Sequence, residues 1–219
     1  MSFRAVLFDL DGTLLDTLED LARSTNLALA RHGLPQHALD AYRYFVGDGL
    51  RTLITRVLPE SCRGDAAIAA AVTNAFQEEY GRSWYVRSAP YPGVPAMLDA
   101  LSRQGVSLNI LSNKPDAFTL LCVGRLLDRW HFAQVRGQRD GTARKPDPTA
   151  ALEIAADLAL TPAEILYLGD TATDMQTAAA AGMFPVGALW GFRTADELLQ
   201  HGARALVAEP AELLPLVQP

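Results

Sequence analysis

From Pro90 onward, short apolar runs alternate with helical patterns, and this alternation constrains the fold more than any other feature of the chain. A run of strand–helix repeats buries all its apolar faces as a parallel sheet with helices on both sides. Strands are predicted over residues 107–111, 132–135, 165–168, 186–189 and 205–207. Helices are predicted over 94–104, 115–129, 149–158, 173–181 and 211–217. One further apolar strand, 4–8, lies far upstream.

The block between that first strand and Pro90 has little strand character. Residues 17–32 read as an amphipathic helix, with Thr17 as its N-cap and Gly33 as its terminator. A second helix is predicted at 50–58, after the glycine-bearing stretch Val46-Gly47-Asp48-Gly49. The expected fold class is therefore α/β, a Rossmann-like parallel sheet core with an inserted α-helical domain. At 219 residues and 49% hydrophobic content the chain can bury such a core.

In open parallel sheets, ligands bind beyond the carboxyl ends of the strands, so the residues that end the apolar runs are the candidate site. Val6-Leu7-Phe8-Asp9-Leu10-Asp11-Gly12-Thr13 ends in two carboxylates at i and i+2, which project to one side of an extended segment. Such a pair can collect a hard cation or divide labour between nucleophile and proton donor. Asp-Gly between apolar residues is equally a hairpin signal. Leu108 to Leu111 ends in Ser112-Asn113-Lys114-Pro115, and Ile165 to Leu168 ends in Gly169-Asp170, with Asp174 one helical turn later. Between these two runs lies Lys145, in the proline-stiffened segment Arg144-Lys145-Pro146-Asp147-Pro148. Only two of the 19 basic residues are lysines, Lys114 and Lys145, and both fall in or beside these segments. An ammonium point charge and a planar guanidinium meet different geometry, so this placement marks the two lysines as candidates.

These four segments, in this order, resemble the motifs of the haloacid dehalogenase-like hydrolase superfamily: Asp9-x-Asp11-Gly12-Thr13, Ser112, Lys145 and Gly169-Asp170-x-x-x-Asp174. The resemblance implies a core formed by residues 1–14 and 86–219 and a C1-type helical cap at 15–85. It also implies Asp9 as nucleophile, Asp11 as general acid and base, and Lys145 as the cation beside the transferred phosphoryl group. Ser112 and Asn113 would hold phosphoryl oxygens, and Mg2+ would be the cofactor, with Asp9, Asp11, Asp170 and Asp174 as metal residues. The competing reading of Asp174 is a helix N-terminal charge.

Within the cap, Gly47-Asp48-Gly49-Leu50-Arg51 resembles the signature of phosphoglycolate phosphatase-like members, which makes Gly47, Gly49 and Arg51 candidate substrate contacts and 2-phosphoglycolate the favoured substrate. A solvated arginine after a helix–helix turn is the plainer reading. Asp11 argues for phosphoryl chemistry over carbon–halogen cleavage, and residues 15–85 contain no lysine for a Schiff base. A β-phosphoglucomutase-like mutase, a pyrophosphatase or sugar-phosphate phosphatase of the same superfamily, and a catalytically silent binding protein remain alternatives. The expected partner is a small phosphorylated metabolite. The net charge of −6 argues against nucleic acid, no apolar run is long enough for a membrane span, and the cytoplasm is the expected location. Cys62 and Cys122 suggest neither a disulfide framework nor a zinc site.

Overall fold

The strand Ala5–Phe8 (β1) has no exposed surface at any of its four residues, as a strand covered on both faces must. It opens a chain whose computed structural model describes residues 3–217. Two short strands, β2 (Leu15–Asp16) and β3 (Ala89–Pro90), mark where the chain leaves and re-enters the sheet-bearing unit. Between them runs a helical unit, Asp16–Ala89, with α1 (Leu18–Arg31), α2 (Tyr42–Phe45), α3 (Leu50–Val57) and α4 (Ala66–Ser83).

The sheet-bearing unit resumes with α5 (Val94–Arg103), β4 (Ser107–Pro115), α6 (Asp116–Leu126) and β5 (Gln134–Gln138). It continues with α7 (Thr149–Asp157), β6 (Ile165–Gly169), α8 (Ala172–Ala181) and β7 (Phe184–Ala188). It closes with α9 (Ala195–Gln200), β8 (Ala205–Val207) and α10 (Leu214–Val217). The sheet order is β5-β4-β1-β6-β7-β8, and every adjacent pair is parallel. The predicted α/β class is borne out, and the parallel pairing of β1 with β4 and β6 excludes a hairpin after Phe8. One side of the sheet packs Leu7, Leu111, Ile165 and Tyr167 against Ala151 and Ile154 of α7 and Ala178 and Ala181 of α8. No helix among the described residues is long and apolar enough to cross a membrane.

In the helical unit, Leu21 and Leu29 of α1, Tyr42 of α2, Ile54 of α3 and Val72 and Phe76 of α4 are buried. Asp65 caps α4, accepting from the N–H groups of Ala67 at 2.8 Å and Ile68 at 3.1 Å. Thr17 stands at the N-cap of α1 without a side-chain capping bond; Asp16 instead accepts from Leu18 N–H at 3.3 Å. Asp20, 1% exposed, accepts at one oxygen from Arg87 N–H (2.9 Å), Ser88 N–H (2.8 Å) and Ser88 Oγ (2.8 Å). This carboxylate ties the end of the helical unit back to α1. Asp20→Ala leaves three donors without that acceptor and lowers unfolding free energy by about 2–4 kcal/mol, measured by urea denaturation. An unchanged midpoint would show that water replaces the carboxylate.

Candidate active site

Asp9 continues β1 by one residue, donating its N–H to Leu168 O at 2.9 Å, and the chain then curls tightly. Leu14 and Leu15 N–H both donate to Leu10 O, and Gly12 N–H donates to Leu15 O. Gly12 has φ +93°, and a Cβ there would lie 2.4 Å from Asp170 Oδ2, so conformation and space both demand glycine. The curl leaves Asp9 and Asp11 5% and 8% exposed at the strand end.

On one side of β1, β4 runs past the predicted end at Leu111 to Pro115. Leu111 pairs with Arg136 and Pro115 with Gln138, four steps on β4 against two on β5, so Ser112, Asn113 and Lys114 form a bulge. Bulges re-aim side chains, and this one turns Lys114 across the end of β1. Lys114 Nζ donates to both carboxylate oxygens of Asp11, at 3.1 Å each, and both residues are buried. Ser112 Oγ accepts from Lys114 N–H at 3.2 Å. The Asn113 side chain forms a reciprocal pair with the Lys145 backbone: Lys145 N–H donates to Oδ1 at 3.0 Å and Nδ2 donates to Lys145 O at 3.2 Å.

That pair seats Lys145, whose Nζ donates to Asp9 Oδ1 at 2.8 Å, Asp174 Oδ1 at 2.7 Å and Leu111 O at 3.0 Å. On the other side of β1, Asp170 directly follows β6 and has no exposed surface. It accepts from Thr13 Oγ1 and from Phe192 N–H, both at 2.8 Å. Trp190 Nε1 donates to Thr13 O at 2.9 Å, tying the loop after β7 to the curl after β1. Asp174 caps its helix with one oxygen and reaches into the cluster with the other. Its Oδ2 closes a capping box with Thr171 at the start of α8, and its Oδ1 takes Lys145 and, at 3.3 Å, the Tyr167 hydroxyl. A Cβ on Gly169 would fall 2.3 Å from Asp174 Cβ, so this glycine makes room for the carboxylate.

Asp9, Asp170 and Asp174 bring ligand oxygens within 4.8 Å of one another, all buried, whereas the Asp11 carboxylate lies on Lys114 outside this group. Three carboxylates around one ammonium leave negative charge in excess. Burial, with Asp174 adding and Lys145 opposing, pushes the Asp9 carboxyl up to about 7. Burial together with Asp9 and Asp174 holds Asp170 well above the usual carboxylate range. Burial alone would lower Lys145, yet Asp174 and Asp9 outweigh it and hold the ammonium well above the ordinary lysine value. An all-oxygen cluster with surplus buried charge fits a hard divalent cation such as Mg2+.

Gly47, Gly49 and Arg51 lie in the helical unit, on the loop after α2 and in the first turn of α3. Gly47 and Gly49 have φ of +115° and +84°. Arg56 shapes this loop: it pairs with Asp48 at 2.5 Å and donates to Tyr44 O at 3.1 Å and Phe45 O at 3.2 Å. Arg51 is exposed. Thr13, Tyr167 and Phe192 were not among the sequence candidates. Lys114 was marked only by the rarity of lysine, which was its one sequence signal.

The family model described as haloacid dehalogenase-like hydrolase matches residues 6–188. Among similar proteins, the phosphoglycolate phosphatase of Pseudomonas putida is 34% identical over 219 residues, covering 97% of this chain and 79% of that protein. The phosphoglycolate phosphatase of Nitrosospira multiformis is 32% identical, covering 100% and 97%. A crystal structure from Lactobacillus delbrueckii subsp. bulgaricus superposes with a TM-score of 0.93 at 27% identity, covering 100% and 99%. With the four strand-end segments gathered at one edge of a parallel sheet and the family model spanning most of its length, the chain belongs to the haloacid dehalogenase-like hydrolase family.

Proposed function

We propose that this protein is a Mg2+-dependent phosphomonoester hydrolase working through an aspartyl-phosphate, with 2-phosphoglycolate as its substrate. The observation that carries the reading is the buried Lys145 ammonium on Asp9 and Asp174, with Asp170 beside them. It supports a site that gathers positive charge around a carboxylate nucleophile. Phosphoryl transfer needs that arrangement, because its transition state spreads negative charge over the equatorial oxygens.

In this mechanism an Asp9 oxygen attacks phosphorus as the bond to the leaving oxygen breaks, and Asp11 gives that oxygen its proton. Asp11 then takes a proton from water, whose oxygen attacks the phosphorus, releasing phosphate and restoring Asp9. Lys145 neutralises charge at the phosphoryl group, while Ser112 Oγ and the N–H of Asn113 hold its oxygens. Asp9, Asp170 and Asp174, with the backbone carbonyl of Asp11, would hold Mg2+, which supplies further charge neutralisation and orientation when bound.

The helical unit serves as a C1-type cap in this reading. Gly47, Gly49 and Arg51 would meet the carboxylate of the substrate, on a loop whose shape Arg56 maintains. Relatives named phosphoglycolate phosphatase support the substrate. The test is phosphate release from 2-phosphoglycolate, pyrophosphate, hexose phosphates and nucleoside monophosphates, with Mg2+ and with EDTA. The expected result is at least about tenfold higher kcat/KM for 2-phosphoglycolate, lost with EDTA; about 1.4 kcal/mol of discrimination suffices for it. Weak release from every compound would overturn the substrate and leave the class standing.

A further inference from the structure

We propose that Lys114 is a positioning residue for the proton-donating carboxylate Asp11, holding it in place and apart from the metal-binding cluster. The inference rests on the acid and base role given to Asp11 above. Four carboxylates, Asp9, Asp11, Asp170 and Asp174, meet at one end of the sheet, and two ammonium groups are divided between them. Lys145 takes Asp9 and Asp174. Lys114 takes Asp11, with one Nζ equidistant from both oxygens at 3.1 Å.

This division has a physical reason. Asp11 is two residues from Asp9, in the tight curl that follows it, so a carboxylate released there is within reach of the same cation as its neighbours. A carboxylate drawn onto the metal is no longer aimed at the leaving oxygen. The Lys114 ammonium on Asp11 supplies a competing attraction. The β4 bulge at Ser112–Lys114 delivers that ammonium, and Ser112 Oγ, bonded to Lys114 N–H, fixes its backbone. Both lysine and aspartate are buried, so water competes little for either.

A positioning role predicts a dependence on the leaving group that a merely structural role does not. The ratio kcat/KM includes steps only up to formation of the phospho-enzyme, where a proton is needed by an alkoxide but not by p-nitrophenolate. The experiment compares wild type, Lys114→Met, Asp11→Asn and the double variant on 2-phosphoglycolate and on p-nitrophenyl phosphate. Lys114→Met is expected to lose about 10²-fold on 2-phosphoglycolate and under about fivefold on p-nitrophenyl phosphate. In the Asp11→Asn background the same substitution is expected to lose nothing further. Isothermal titration with Mg2+ is expected to show tighter binding to Lys114→Met, as Asp11 joins the ligand set.

Equal losses on both substrates, or losses that multiply in the double variant, would overturn the proposal while leaving the mechanism intact. Should Asp11→Asn itself show no preference between the substrates, the acid and base reading falls, and this proposal with it. Lys114→Gln, which keeps a donor at the site, decides the question by the same comparison if Lys114→Met does not fold.

Discussion

Asp9→Asn is expected to reduce phosphate release from 2-phosphoglycolate by at least about 10⁴-fold while the protein stays folded, because the amide is nearly isosteric and cannot act as the nucleophile. The stability arm makes this result diagnostic. The Asp9 carboxyl sits at about 7 in the fold against 3.8 for an ordinary aspartate, so the folded protein binds more protons than the unfolded chain between those values. A raised carboxyl contributes stability that is present below pH 3.8 and lost as pH climbs through about 7. Asparagine carries no such loss. Without metal at pH 8, the variant should therefore match or exceed wild type, and the advantage should vanish near pH 4. Urea unfolding at the two pH values, with EDTA, measures it. A variant that is both inactive and less stable at pH 8 would mean the lost activity reflects lost structure, and the nucleophile assignment would then rest on nothing in this experiment.

The gathering of Asp9, Ser112 and Asp170 at one end of the sheet is legible in the sequence for a simple cause. Asp9, Ser112 and Asp170 each follow an apolar run, and a buried parallel strand presents its next residues at the carboxyl edge whatever the loops do. Edge strands give weaker signals. β5 was expected at 132–135 and lies at Gln134–Gln138, because its Arg136 and Gln138 follow no apolar pattern and are only half-buried. α9 was not anticipated at all; it spans six residues, and its one local cue is Thr194 capping Glu197 N–H. The extension of β4 through Lys114 escaped because a bulge breaks the two-residue period on which a strand reading depends. Other parts of the site come from the backbone, as with Phe192 N–H on Asp170 and Thr13 O on Trp190. Backbone groups carry no residue signature. The pairing of Lys114 with Asp11 joins positions 103 residues apart, and only the scarcity of lysine hinted at it.

Lys145→Met should produce the second large effect, and its signature is a stability deficit that depends on both pH and metal. The substitution keeps most of the side-chain volume but leaves Asp9 and Asp174 without their shared donor, in a pocket where the lysine is 5% exposed. Removing one partner of a buried pair costs about 3–5 kcal/mol, so the metal-free variant at pH 8 should unfold at markedly lower urea. Lys145 itself, held well above the ordinary lysine value, stays charged throughout pH 4–9 and introduces no pH dependence of its own there. The carboxyls do. Asp9 and Asp170 are already raised in the wild-type fold, and losing the ammonium raises them further, so the variant's stability falls more steeply with pH than wild type's. The deficit should therefore shrink toward pH 4, where the cluster takes up protons, and shrink again at pH 8 when Mg2+ replaces the missing charge. Phosphate release should remain at least about 10³-fold down even with saturating Mg2+, since the cation beside the phosphoryl group is gone. A deficit that ignores pH and Mg2+ alike would reduce Lys145 to a packing residue and remove the electrostatic basis on which the proposed hydrolase rests.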